Sequence, residues 1–229
     1  MAEPSPGGTG AGPTGAATGP RARFRDQVRE ESKQIALDQL AQGGPQALSL
    51  NGIAKALGMS GPALYRYFAN RDRLLTELVI DGYRDLAQAL RSAAEATAGQ
   101  QAPAGMAAVA AAYRDWAVTQ PHRYRLLFRA PLVGYDPQAN ELVEASQPAM
   151  EVAVSVVAPL FGGPTEAAVF HTMSLWAGLH GLVSLEIEDN FTSMGVDPAP
   201  LYEQQLLAVR QAAAGVVMAG TAAAAAAAE

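Results

Sequence analysis

Residues 47–75, ALSLNGIAKALGMSGPALYRYFANRDRLL, decide how this chain is read. Leu50, Ile53, Ala54 and Leu57 recur at the spacing of one helix face, and Gly58 follows where the chain needs a left-handed cap. A short helix therefore stops at Leu57. Ser60 can cap the next helix through its side-chain oxygen, and Pro62 falls in the first turn, where its missing N–H is no loss. The second helix starts at about Gly61 and carries Tyr65, Arg66 and Tyr67. Two short helices about a tight corner, with aromatic and basic residues on the second, form a helix-turn-helix and point to DNA.

This pattern resembles the TetR-type repressors. The resemblance rests on Ser60, Leu64, Tyr65, Tyr67, Phe68, the basic-acidic pair Arg71-Asp72 and Leu74-Leu75, with Ile53-Ala54 and Leu57-Gly58 upstream. A second likeness lies in the body. Tyr113-Arg114-Asp115-Trp116-Ala117, Gln120-Pro121, the segment 124–128 (YRLLF) and the segment 176–186 (WAGLHGLVSLE) are similar to the subgroup named for a Trp-His-Gly signature. Together they imply an all-α fold. An N-terminal three-helix DNA-binding domain over 21–70 is joined by a long helix to a helical effector-binding and dimerisation domain over 71–219.

At the head, Ser49 and Ser60 stand where they can cap helices whose N-termini present N–H groups to phosphate. The resemblance assigns phosphate contacts to Tyr65, Tyr67 and Arg71, and base reading to Asn51, Gly61, Pro62, Ala63 and Arg66. Arg can bond guanine bidentately, Asn can read adenine, and Ala or Pro can touch a thymine methyl. Gly61 departs from the family, where many members carry a polar residue, and so leaves more of the reading to Arg66, Asn51 and DNA shape. Tyr65 reads as exposed, because Leu64 and Phe68 already take the buried side at i and i+4.

Net charge is −6, which is unusual for a DNA binder until it is divided along the chain. Residues 21–91 hold 11 Lys+Arg against 8 Asp+Glu, a balance of +3, whereas 92–229 hold 5 against 13, a balance of −8. Phosphate attraction is thus local to the N-terminal part. Arg21, Arg23 and Arg25 lie just ahead of the first helix, as a flexible arm for phosphate or minor groove or as a solvated basic end. Hydrophobic residues make up 49% of the chain, yet no uncharged apolar run is long enough to span a bilayer. The start, MAEPSPGGTGAGPTGAATGP, has neither a basic nor an apolar signal region and reads as a disordered tail over 1–20. Cys is absent, which excludes disulfides, thiol catalysis and Cys-based zinc sites and is compatible with the cytoplasm.

The remaining periodicity is helical throughout. A first helix is expected from about Arg23 to Gln42, ended by Gly43-Gly44-Pro45, and a long helix from about Arg71 into the Ala-rich stretch before Gly99. Further helices are expected at about 106–119, 122–130, 140–160, 165–188 and 200–219, with Pro148 as a kink or a true start within its segment. The Ala-rich end, 220–229, is low complexity and either prolongs the last helix or frays.

Met173, Trp176 and His180 fall on one helix face, and Tyr113, Trp116, Tyr124 and Phe128 lie on shorter helices able to pack nearby. For any one of them core packing competes with a pocket; as a set they suggest an apolar effector site. Ala177, Gly178, Gly181 and Leu185 on one late helix and Leu206, Val209, Ala212 and Val216 on the other suggest a two-fold four-helix interface, a homodimer by resemblance. Catalytic motifs are missing, and His171 and His180, nine residues apart, face opposite sides of one helix, so no metal or cofactor is implied. The reading is a cytoplasmic one-component regulator, most simply a repressor, that binds a palindromic DNA operator as a dimer and responds to a small-molecule effector. A small-molecule carrier with a vestigial DNA head and a helical enzyme of unrecognised chemistry are the alternatives.

Overall fold

A computed structural model describes residues 19–129 and 139–226; the expected tail over 1–20 lies almost wholly outside them. Ten α-helices and no strand occur among the described residues. α1 (Pro20–Ala47) carries an internal break at Gly43 and at Gly44, whose φ of 65° only glycine adopts readily, and this ends the straight helix where expected. Arg21, Arg23 and Arg25 sit on its first turns and not on a separate arm. α2 (Leu50–Ala56) is closed by Gly58 at φ 65°, the left-handed corner of the helix-turn-helix. α3 (Gly61–Leu64) is shorter than its pattern suggested, and Tyr65 to Tyr67 prolong it as a turn.

α4 (Arg71–Ala96) opens on Asn70, whose side chain accepts from the Arg73 N–H. α5 (Ala102–Thr119) begins earlier than expected because Pro103 suits a first turn. α6 (Pro121–Phe128) is separated from it by a corner at Gln120. α7 (Asn140–Val157) runs through Pro148 and passes into a 3-10 turn at Ala158–Phe161. Pro148 neither starts nor ends it; the carbonyl deprived of a partner belongs to Glu144, on an exposed side of the helix. α8 (Glu166–Ile187) is capped by the Thr165 hydroxyl. A five-residue α9 (Asn190–Met194), which helical periodicity does not reveal at that length, precedes α10 (Ala199–Ala226), so the Ala-rich end prolongs the last helix.

Two buried clusters organise these helices. In the head, Ala36, Leu40, Ile53, Leu64, Phe68, Leu74 and Leu75 meet, and Leu126 of α6 and Leu142 of α7 close the cluster from the body side. In the body, Leu86 and Leu90 of α4 join Met106, Tyr113 and Trp116 of α5, Val157 of α7 and Leu179 and Val183 of α8. α4 thus contributes to both cores and is the mechanical link between them.

Candidate DNA interface, effector cavity and partner face

The geometry of the head follows from how α3 is held. Leu64 and Phe68 are fully buried beneath it, which turns Asn51, Ser60, Pro62, Tyr65 and Arg66 outward. Ser49 caps α2, its hydroxyl accepting from the Gly52 N–H at 3.1 Å. Ser60 occupies the N-cap of α3 but makes no such bond, contrary to expectation. Pro62 has no N–H to offer, and the Ala63 N–H is taken by the main-chain carbonyl of Ser60 at 3.0 Å. The Ser60 hydroxyl therefore stays on the open surface. Gly61 has a positive role: a Cβ there would lie 2.9 Å from Asn51 Oδ1, so its absence lets Asn51 lie across the start of α3.

Tyr67 and Arg71 are less available than expected. Tyr67 is half-buried against the head core. Arg71 turns inward, its guanidinium donating to the Pro45 carbonyl and its Nε buried without a partner among the described residues. A phosphate contact from Arg71 as placed would have to come from the N–H groups that this bond leaves free. The base of the recognition turn is fastened by Arg29, which lies over the Phe68 ring at 4.8 Å, donates to the Tyr67 carbonyl at 2.7 Å and pairs with Glu77 of α4. Lys33 to Asp81, at 2.7 Å, repeats the α1–α4 link one turn on, and Asp81 holds the ammonium above its ordinary range although burial opposes it.

In the body, an apolar cavity of about 20 Å³, room for about one water, lies between Met106, Val109 and Tyr113 of α5, Val156 and Val157 of α7, and Thr172, Leu175, Trp176 and Leu179 of α8. Of the seven residues expected around an effector, Tyr113 and Trp176 line it, their rings 4.7 Å apart. His180 and Tyr124 form the layer behind. The Tyr113 hydroxyl is 3.0 Å from His180 Nδ1, and the Tyr124 hydroxyl donates to the His180 carbonyl at 3.1 Å. Burial lowers the His180 pKa from 6.5, which favours the neutral imidazole. Phe128 packs edge-on against His180 at 4.7 Å. Trp116 instead faces α4, where its indole N–H donates to Asp85 at 2.8 Å. Met173 is 48% exposed and lies away from the cavity, because no neighbouring helix covers that end of its stripe.

The outer surface of the last helices is apolar. Phe170, at 65% exposed, with Met173, Ala177, Gly181 and Leu185, forms one continuous face of α8, and Leu201, Ala208, Gly215 and Val216 are exposed on α10. Gly178 and Ala212 are half-buried, Gly178 because Gln205 of α10 presses on it so closely that a Cβ would collide with its side chain. Leu206 and Val209 belong elsewhere than expected. At 8% and 3% exposed they pack into the body core, since the wider apolar stripe of α10 faces α5 and α8 and leaves the opposite side for a partner.

Residues 35–78 match the family described as bacterial regulatory proteins, tetR family, and residues 106–209 match the tetracyclin repressor-like C-terminal domain. The chain is 32% identical over 216 residues to the HTH-type transcriptional regulator Rv1816 of Mycobacterium tuberculosis, a match covering 82% of this chain and 92% of that one. The chain belongs to the TetR family. Among solved structures, a protein described as regulatory, SCO4313, superimposes with a TM-score of 0.73 at 42% identity, over 83% of this chain and 98% of that one. The transcriptional regulator FadR of Bacillus subtilis, in complex with stearoyl-CoA, shares the fold with a TM-score of 0.60 at 13% identity, over 80% and 98% of the two chains.

As a TetR-family transcriptional regulator the protein is DNA-binding, and no described helix is long and apolar enough to cross a membrane. Arg29, Glu77 and Asp85 carry no motif in the sequence that marks them out. Asp85 gathers Trp116, Gln120 at 3.2 Å and Arg123 at 2.9 Å onto α4. Their spacing on α1 and α4 is that of ordinary solvated charge, and only the packed helices bring them to their partners.

Proposed function

We propose that this TetR regulator is a cytoplasmic one-component repressor that grips a palindromic operator as a homodimer and is released by a small apolar effector. The observation that carries the reading is the recognition surface. Asn51, Pro62, Tyr65 and Arg66 are exposed together above a fully buried Leu64 and Phe68, so the backbone that presents them is anchored before DNA arrives. The exposed face of α8 and α10 supports a dimer, which palindromic half-sites require. The cavity between α5, α7 and α8 supports an effector with an apolar chain. FadR of Bacillus subtilis, of the same fold, is found with stearoyl-CoA, which carries such a chain. The cavity as it stands is too small for such a ligand, so binding must part α5, α7 and α8 and thereby press on α4, to which α5 and α7 are packed.

The test is selection of bound sequences from random duplex DNA by the full chain, repeated with a panel of aliphatic and aromatic metabolites. A two-fold symmetric consensus that is lost on adding one class of metabolite is expected. Recovery of unselected DNA at the end of selection overturns the reading.

A further inference from the structure

A second cavity lies at the seam between the head and the body. It encloses about 280 Å³, close to the lower end of small-molecule sites, and opens between the C-terminal part of α1 and one face of α6. Leu40 and Pro45 line the head side and Leu126 the body side, giving an apolar floor. His122, Arg125 and Arg129, at i, i+3 and i+7 of the chain, form its other wall. The two guanidiniums share one carboxylate, Glu188, at 3.0 and 3.1 Å, so the wall keeps an excess of positive charge, and His122 makes no hydrogen bond among the described residues. This chemistry is the opposite of the α5–α7–α8 cavity, whose lining holds no cation.

We propose that the seam cavity is a second ligand site, for a small carboxylate with a compact apolar body. The carboxylate would take donors from Arg125, Arg129 and His122 in competition with Glu188, while the apolar body lies on Leu40, Pro45 and Leu126. The occupant would touch both parts of the molecule at once. Gly44, with φ 65°, and Pro45 form the bend between α1 and the helix-turn-helix, and the Pro45 carbonyl already accepts from Arg71 at the start of α4. Occupancy would therefore be felt at the hinge of the head without passing through the other cavity.

Benzoate and its uncharged amide, benzamide, are suitable probes, titrated calorimetrically into the full chain without DNA in a zwitterionic buffer. Saturable binding of benzoate is expected, with benzamide at least about tenfold weaker, as loss of a charge-assisted contact requires. Arg129→Gln, at a residue whose side chain is 54% exposed, should weaken benzoate by about fivefold or more while the thermal unfolding of the chain stays close to wild type. Glu188→Gln removes the competing carboxylate and should tighten it, a change of sign that mere structural damage does not produce. The proposal is overturned if neither wild type nor Glu188→Gln binds benzoate, if benzamide binds as well, if Glu188→Gln weakens binding, or if Arg129→Gln leaves binding intact.

Discussion

Arg66 and Tyr65 stand side by side on the turn that prolongs α3, and their chemistry separates two ways of losing DNA. A guanidinium can discriminate a base edge, so Arg66→Ala should cost about 1–3 kcal/mol and relax preference at one position in each half-site. A phenol can hold a phosphate but reads no sequence, so Tyr65→Ala should weaken all duplexes alike. Selection with each variant checks this; an unchanged consensus for Arg66→Ala counts against direct readout. His180 offers a residue-scale test of a different kind. Its folded pKa is lowered by burial, so the unfolded chain binds more protons as pH falls below about 6.5, and stability declines there. Above that pH its contribution is constant. The melting temperature should therefore fall as pH drops below about 6.5, and His180→Gln should flatten that slope; an unaltered slope would count against a burial-lowered His180. Glu186, held below the ordinary carboxylate range by Arg114 and then by Tyr202, loses its contribution only at lower pH and does not confuse the window.

At the scale of the element, α4 is the lever, and its grip on the neighbouring helices is polar as well as apolar. Arg29 joins the recognition turn to Glu77, a carboxylate whose side chain is only 12% exposed. Arg29→Ala leaves that carboxylate short of a partner and the Tyr67 carbonyl without its donor, at an expected cost of about 1–3 kcal/mol in denaturant unfolding. Operator affinity should fall further than stability alone explains, because Tyr65 and Arg66 lose their footing. An affinity equal to wild type in a folded Arg29→Ala protein would show that the turn holds itself. On the effector side, Trp176→Ala enlarges the body cavity and should alter the effector concentration for release while leaving effector-free operator affinity nearly intact. Release at the wild-type concentration by a folded variant would place the site elsewhere.

For the whole molecule, assembly and folding draw on different faces of the same two helices. Met173→Glu with Leu185→Glu puts charge on the exposed side of α8, where the protomer tolerates it but an apolar seam between copies does not. Sedimentation should show a folded monomer with weakened operator binding. Leu206→Glu instead buries a carboxylate in the body core and should unfold the protein, at a cost of several kcal/mol. A wild-type chain that sediments as a monomer on and off DNA would remove the dimer from the proposal.

Local chemistry was enough to determine the helix-turn-helix. Gly58 at its corner, Ser49 at its cap, Leu64 and Phe68 four residues apart and the long stripe of α4 are short-range signals, readable from spacing because helices impose a fixed period. The all-helical body follows from the same period. Direction toward one neighbour or another is a different matter. α10 carries apolar residues on more than one side, so its sequence does not say which side is core, and only packing against α5 and α8 turns Leu206 and Val209 inward and leaves Leu201 and Val216 outside. Arg71 has the sequence of a phosphate contact, yet its bond to Pro45 depends on a turn 26 residues away. Met173 shares a stripe with Trp176 and His180, yet where the covering helices stop decides that it faces out. Periodicity within one helix fixes which residues share a face; what that face meets depends on contacts distant in the chain, which exist only once the helices are packed.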